Sequence, residues 1–540
     1  MIAATAPTIA GHAGRVAARR LAAEGVTRVF CVPGESYLPV LDGLHDEPGI
    51  EVVSARHEGG AAMMAVAHAK LTGTPGVCLV TRGPGATNAS IGVHIAAQDA
   101  VPLVLLIGQV GTRELDREAF QEVDHRAVFG SLGRAAWQVE DPARLDEYLC
   151  RALTVACGDE PGPVCLALPQ DVLFASVEAP APRATTERWA PDVAGGALER
   201  VTDLLARSRR PVIIVGGSAW DDDARRGVVG WAERTGVPLV TSFRHQDLID
   251  HTSPAFAGTL GSGAWPGLGD AVRSADLVCF IGTRPDAGST GGETLLRPDP
   301  GQRTVHVHPS AGVLARHHRA DVTVQCAGDR FAAALAGREL ATDHRAWGAH
   351  LRAGYLAGLD EHLWWDRVSA RDLIRTLSDE LPDDAIISCG AGDYTQALHR
   401  YYSFRSYPSL LATQSGSMGF GLPAAIAAQL AAPGRLAVAI AGDGCFQMTA
   451  QELATAAQHR LSIIVVVINN ERFGTIRRHQ DDHFPGRVIA TSLENPDFVS
   501  LALAHGGWGA TVGSPDEFRG ALREAMTRDG LCLIELRTTS

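Results

Sequence analysis

The stretch that decides the fold is AGDGCFQMTAQELATAAQHRLSIIVVVINNERFG, residues 441–474. An apolar run, LAVAI, leads into it and ends near Ile440. A Gly-Asp-Gly turn, a helical stretch and a second apolar run over 463–468 follow, and that run ends in Asn469-Asn470. Two apolar runs joined through a helix form a βαβ unit, so the strands are expected to run parallel and side by side. Ligands of such sheets sit beyond the carboxyl ends of the strands. Asp443 and Asn470 fall at those two ends. A carboxylate and an amide carbonyl are hard oxygen donors suited to Mg2+. Gly442 and Gly444 let the backbone approach a phosphate, and the helix that follows offers free N–H groups to it. On residues alone the stretch is either a βαβ turn with a capping aspartate or a diphosphate cradle bridged by a metal.

Working outward, the 540 residues suggest about three domains at roughly 150 residues each. The chain is 46% hydrophobic, yet no apolar run approaches the roughly 18 residues of a membrane span. MIAATAPTIAGHAG carries no basic stretch before an apolar core, so no signal peptide is expected. A net charge of −13 argues against nucleic acid as a partner. The ten cysteines form no CxxC pair, so neither a zinc site nor a disulfide framework is indicated, and a reducing, cytoplasmic setting is expected.

Up to about Val177 the chain alternates helix and strand: a 3.6-period helix over 10–24, strand VTRVFCV, strand IEVVSA, helix HEGGAAMMAVAHAKLTG, strand GVCLVT, a Gly-rich turn, a helix, then strand PLVLLIGQV. Such alternation predicts a doubly wound parallel sheet. EAPAPRATTERWAPDVAGG reads as a linker. PVIIVGG, VPLVTS, ADLVCFIGTR and RTVHVHP predict a second small parallel sheet within 196–337, and a third α/β segment spans 369–540. Gly216-Gly217-Ser218 is not GxGxxG, so a dehydrogenase gains little support. His306 and His308 share a strand face without an evident third ligand and read as structural. Absence of HExxH and GxSxG argues against zinc peptidases and serine hydrolases. Glu58 opens a helix, where the helix dipole favours a carboxylate in any protein.

GDG followed at this spacing by NN resembles the diphosphate motif of thiamine-diphosphate (ThDP) enzymes, and nearly the whole chain resembles the acetolactate synthase and 2-keto-acid decarboxylase family. The resemblance implies three α/β domains, each a doubly wound parallel sheet: pyrimidine-binding (1–178), central (196–337) and diphosphate-binding (369–540). It implies Mg2+ held by Asp443, Asn470 and the backbone carbonyl of Arg472. Around the cofactor it places Gly390, Gly442, Gly444, Cys445, Gly474 and Thr475. RHEGGAAMMA carries, at Glu58, the family's glutamate that hydrogen-bonds the aminopyrimidine ring and so activates the cofactor. TRGPGATN, with Thr81, Gly83 and Asn88, would lie beside cofactor and substrate on the partner subunit, and Gln121 in AFQEVD would line the active site. In QSGSMGFGLPAA, Gly416 would offer its carbonyl to the cofactor's amino group and Met418 would prop ThDP into its bent form.

Three departures bear on function. GTRPDAGSTGG resembles the family segment that contacts FAD and the second substrate; Arg284 and Asp286 match, but Gly288 replaces the arginine that engages the acceptor's carboxylate. FAD is thus a second cofactor that the resemblance allows. GTIRRHQ has His479 where the synthases carry a tryptophan, and an imidazole there could serve as an acid–base group. LIELRTTS follows the last strand with no lid segment after it, so solvent exclusion is expected from the partner subunit. The His-His pair of pyruvate decarboxylases is absent, and Thr81 stands where benzoylformate decarboxylase uses a histidine.

The expectation is a ThDP- and Mg2+-dependent enzyme that decarboxylates a 2-keto acid, pyruvate by default, and joins the remainder to a second carbonyl, as a homodimer or homotetramer with interfacial active sites. Simple decarboxylation to an aldehyde is the runner-up, and a catalytically silent ThDP-binding homologue is the rival from another class.

Overall fold

The computed structural model describes residues 8–184, 191–217, 220–292 and 294–539. Part of the expected linker (185–190), Ser218 of the glycine turn and the first seven residues lie outside the described residues. The chain divides into two compact units. One holds Met1–Arg188 with Ile426–Ala432 and Thr449–His459; the other holds the remainder.

The first unit contains a six-stranded, all-parallel sheet in the order Glu51–Ser54, Arg28–Cys31, Gly76–Val80, Leu103–Gln109, Pro163–Pro169, Ala135–Gln138. Gly76–Val80 and Leu103–Gln109 are buried at every position, as a sheet covered by helices on both faces requires. Strand order reverses between Arg28–Cys31 and Gly76–Val80, and the crevice beyond such a switch point is where open α/β sheets bind ligands. Thr81 and Gly83 lie there. The helix expected over 10–24 begins only at Ala13. Thr8–His12 is instead a strand, paired antiparallel with Ser176–Pro180. That partner is too remote in sequence for local periodicity to reveal.

The second unit contains two six-stranded parallel sheets. In one, the order is Phe256–Thr259, Leu239–Thr241, Pro211–Val215, Leu277–Ile281, Arg303–His308, Val322–Gln325. Its switch point is closed by backbone: a Cβ on Gly217 (φ 86°) would lie 2.2 Å from the carbonyl oxygen of Gly282. His306 donates from Nε2 to the Thr283 carbonyl (3.1 Å) and accepts the Ala315 N–H at Nδ1 (3.2 Å), which accounts for it as a structural side chain. The other sheet runs Leu410–Leu411, Ile386–Cys389, Ala437–Gly442, Ile463–Asn469, Cys532–Arg537, Trp508–Val512. Ala437–Gly442 pairs in parallel with Ile463–Asn469, Gly442 opposite Ile468, as the apolar runs predicted. The single helix expected between them is broken into Asp443–Gln447, a 3-10 turn at Ala450–Glu452, and Leu453–Gln458. The broken part, Thr449–His459, packs as part of the first unit. The fold is thus three doubly wound α/β sheets.

Candidate active site

In the C-terminal sheet the strand order reverses between Ile386–Cys389 and Ala437–Gly442. A cavity of 480 Å3 opens beyond these strand ends. It is lined by Asp443, Gly442, Gly444, Cys445, Asn470, Arg472, Gly474, Thr475, Gly416 and Met418, all anticipated from sequence. Asp443 is 2% exposed. Its Oδ1 accepts the Gly444 N–H (2.8 Å) and its Oδ2 accepts from Asn495 Nδ2 (2.7 Å). The paired asparagines have separate tasks. Asn469 turns into the core, donating to Glu535 Oε1 at 2.7 Å, and Glu535 also accepts from Thr511 Oγ1. Asn470 faces the cavity, and its Oδ1 accepts the Arg472 N–H at 3.3 Å. The Arg472 guanidinium pairs with Asp366, leaving its backbone toward the site.

The glycines here are steric necessities. A Cβ on Gly474 would fall 2.1 Å from Asp393 Oδ2 and 3.0 Å from Asn470 Nδ2; one on Gly444 would fall 2.5 Å from the Phe473 ring. Gly390 packs beneath the cavity, where a Cβ would meet Cys445 Sγ at 2.5 Å, and its N–H donates to Tyr394 Oη (3.1 Å).

Asp393, Asn495, Trp365 and Thr491 escaped the sequence reading. Asp393 follows a strand and a glycine pair in CGAGD, the same local pattern as IAGD at Asp443, and that repeat was a usable signal. Its Oδ1 accepts the Tyr394 N–H at 3.0 Å, and the residue lines the cavity. Burial pushes the Asp443 carboxyl above the ordinary carboxylate range; Asn495 and backbone N–H groups oppose this, and the Asp393 charge adds to it. Burial raises Asp393 too, against the nearby Arg478 and Arg472. A buried carboxylate, a half-buried one whose charge raises its cost of ionisation, and an amide oxygen beside them suit a divalent cation with oxygen ligands. Among the described residues no group of three or more His, Cys, Asp or Glu side chains is placed to hold a metal ion by itself, and the donors here are oxygens, not the nitrogen and sulfur ligands of zinc sites.

The first unit gathers the remaining candidates at its own switch point. Glu58 begins the helix Glu58–Thr72, whose N-cap His57 accepts the Gly59 N–H at Nδ1 (3.0 Å). Glu58 Oε2 accepts from Asn88 Nδ2 at 3.0 Å. A Cβ on Gly85 would lie 3.1 Å from Glu58 Oε1 and 2.9 Å from Thr81 Cγ2. Thr81 Oγ1 shares a hydrogen bond with Ser36 Oγ (2.8 Å). Gly83 (φ 39°) abuts Gln121, whose carbonyl would be 2.6 Å from an added Cβ. Gln121 sits in a turn with φ 64°. So Glu58, Thr81, Gly83, Asn88 and Gln121 form one surface. His479 stands apart from the cavity wall. It is exposed on the helix Gly474–His483, stacked on His483 with ring centroids 6.3 Å apart, whereas Ile476 of the same helix lines the cavity.

Residues 12–128 match the thiamine pyrophosphate enzyme N-terminal TPP binding domain, 198–335 the central domain, and 390–536 the C-terminal TPP binding domain (thiamine pyrophosphate being ThDP). The chain is 32% identical over 527 residues to the acetolactate synthase isozyme 2 large subunit of Escherichia coli K12, covering 96% of this chain and 93% of that one. It is 32% identical to the acetolactate synthase large subunit of Corynebacterium glutamicum, covering 92% of this chain and 82% of the other. To the E. coli isozyme 3 large subunit the identity is 31%, over 94% and 91% of the two chains. Glu58, Thr81, Gly83, Asn88 and Gln121 fall in the segment matched as the N-terminal TPP binding domain, and Asp443 and Asn470 in the segment matched as the C-terminal one; the chain belongs to the thiamine pyrophosphate enzymes, within the group of the acetolactate synthase large subunits.

Proposed function

We propose that this enzyme decarboxylates a 2-keto acid, pyruvate by default, and couples the remaining acyl unit to a second carbonyl. The observation that carries the reading is the cavity at the switch point, with the oxygen donors Asp443 and Asn470 on its wall. Asp443, Asn470 and the Arg472 carbonyl would hold Mg2+, and Gly442, Gly444, Cys445, Gly474 and Thr475 would bound the diphosphate. When bound, ThDP would supply a thiazolium ring whose deprotonated C2 is nucleophilic toward a keto carbon and whose ring can accept the electron pair released with CO2. Asn88 engages Oε2 of Glu58, so Oε1 is the oxygen left to exchange a proton with the aminopyrimidine ring. Met418 and Gly416, on the cavity wall, would set the cofactor's bent shape. Ile468, Phe473, Ile476 and Trp365 give the cavity an apolar side, which keeps water from the reacting carbon. Gln121 belongs to the Glu58 surface and would face the substrate; His479 would act only at its margin.

The proposed domains are pyrimidine-binding (1–178), central (196–337) and diphosphate-binding (369–540). We take the assembly to be a homodimer or homotetramer, since Glu58 and Asp443 lie in different units, each presenting its own ligand surface. Ten cysteines with no CxxC pair among them support a cytoplasmic setting, and among the described residues no helix is long and apolar enough to cross a membrane. The chemistry involves no net redox change, so it does not call for FAD; a flavin absorbance in the purified protein would establish one. A second reading, release of an aldehyde, is favoured by Gly288, which packs against Phe243 and offers no guanidinium to an acceptor carboxylate. Mass spectrometry of 2-keto acids incubated with carbonyl acceptors separates the two. New C–C bonded products support ligation; CO2 with aldehyde alone supports the second reading; neither product, with Glu58→Gln behaving as wild type, refutes both.

A further inference from the structure

Glu452 is fully buried, although it lies in the turn that follows the Gly-Asp-Gly segment. Its carboxylate does not face the diphosphate cavity. Oε1 accepts the backbone N–H of His57 (3.0 Å) and of Arg56 (3.2 Å); Oε2 lies 3.2 Å from the same Arg56 nitrogen and accepts from Thr455 Oγ1 at 2.6 Å. Every neighbour in this set is a donor, the arrangement that suits an ionised carboxylate at a helix N-terminus. Arg56 and His57 are the two residues before Glu58, and their N–H groups fix the path by which the chain enters Glu58–Thr72. The second glycine of the His-Glu-Gly-Gly run makes room for this contact. A Cβ on Gly60 would lie 2.4 Å from Glu452 Oε1 and 2.8 Å from its Cδ. The same segment braces the entry twice more: Gln458 Oε1 accepts from Arg56 Nη2 at 2.6 Å, and His459 lies 3.7 Å from Glu51. All of these residues belong to the first unit.

We propose that Glu452 is the positioning residue for Glu58: it holds the two peptide groups before Glu58, with Gly60 as its slot, and so sets where the Glu58 carboxyl points. The inference rests on the reading of Glu58 as the group that activates ThDP. It also explains why the connection between Asp443 and Asn470 breaks at Thr449. The broken turn delivers a hydrogen-bond-accepting carboxyl group to the start of the Glu58 helix.

The test is a double-mutant cycle on the full-length enzyme with Glu58→Gln, Glu452→Gln and the pair, at saturating ThDP and Mg2+ without substrate. Three quantities are read: hydrogen–deuterium exchange at the cofactor's C2, the ThDP dissociation constant, and amide exchange of the peptide spanning 54–60 in the cofactor-free protein. Glu452→Gln is expected to slow C2 exchange by about tenfold to a hundredfold, the cost of misplacing a reacting group by an ångström. ThDP affinity should hold, since the diphosphate residues are untouched, while the 54–60 amides exchange faster. In the Glu58→Gln background, Glu452→Gln should slow C2 exchange no further. Gly60→Ala should reproduce the single-variant pattern and, with Thr455→Val, carries the cycle should Glu452→Gln fail to fold. Equal slowing in both backgrounds, or faster amide exchange with C2 exchange unchanged, would overturn the inference. Should Glu58→Gln itself leave C2 exchange at the wild-type rate, the reading of Glu58 is what fails.

Discussion

Asn495→Ala should damage metal-dependent cofactor binding although Asn495 is not proposed to touch metal or cofactor. Its Nδ2 donates to Asp443 Oδ2 at 2.7 Å and to Asn469 Oδ1 at 2.9 Å, and its Oδ1 accepts from Gln447 Nε2 at 2.7 Å. It is therefore the clamp that fixes the Asp443 rotamer against the strand end. Removing a residue that orients a metal ligand costs about 10- to 100-fold in metal affinity, or about 1.4 to 2.8 kcal/mol at 1.4 kcal/mol per tenfold. A pH signature follows. Burial raises the Asp443 carboxyl, and the Asn495 hydrogen bond is the largest influence holding it down. Without that bond the carboxyl rises further, protons compete with the cation to a higher pH, and the loss of affinity grows as pH falls. Isothermal titration of ThDP at fixed Mg2+, at neutral and mildly acidic pH, reads both effects. Asn495→Asp, which sets a like charge against Asp443, should be worse than alanine. Wild-type affinity for Asn495→Ala at both pH values, in a protein that melts normally, would refute the reasoning.

Three other outcomes are expected. Glu58→Gln should lower turnover by about 10²- to 10⁴-fold, the usual contribution of a positioned proton-transfer group, with ThDP affinity by titration little changed. Gly474→Ala drives a Cβ to 2.1 Å from Asp393 Oδ2; overpacking of about 1–3 kcal/mol should weaken ThDP binding roughly 5- to 150-fold. The Asp443 and Asp393 carboxyls are both raised in the folded state. Their contribution to cofactor-free stability is therefore full below the ordinary carboxylate value and is lost as pH rises through the raised values. Asp393→Asn should thus raise the neutral-pH melting temperature of the cofactor-free enzyme and flatten its decline with pH, as followed by scanning fluorimetry.

Sequence revealed most where physical demands are local. Apolar runs of strand length, the glycines at 442 and 444 and the terminal Asp443 and Asn470 specify a parallel pair and what stands at its end, and the two strands do pair in parallel as neighbours. The residues that were missed act through long-range contacts. Asn495 reaches Asp443 from a segment with no regular structure, and Glu452 reaches Arg56 and His57 across most of the chain. Neither partner can be inferred from spacing. The strand Thr8–His12 was hidden for the same reason, its ladder partner being Ser176–Pro180. Gln121 shows a different limit: nothing between Phe120 and Glu122 announces that Gln121 takes a left-handed backbone (φ 64°) against Gly83. The family resemblance rested on motifs of glycine, carboxylate and amide at strand ends, which a fold must preserve to leave room for a ligand.

Whether Asp443 and Asn470 bind a diphosphate through a divalent cation is decided by ThDP affinity measured as a function of Mg2+ concentration. The wild-type enzyme should bind ThDP more tightly as Mg2+ is added, while Asp443→Ala shows weak binding that Mg2+ no longer improves. Equal, Mg2+-responsive affinity in the two proteins would contradict the account.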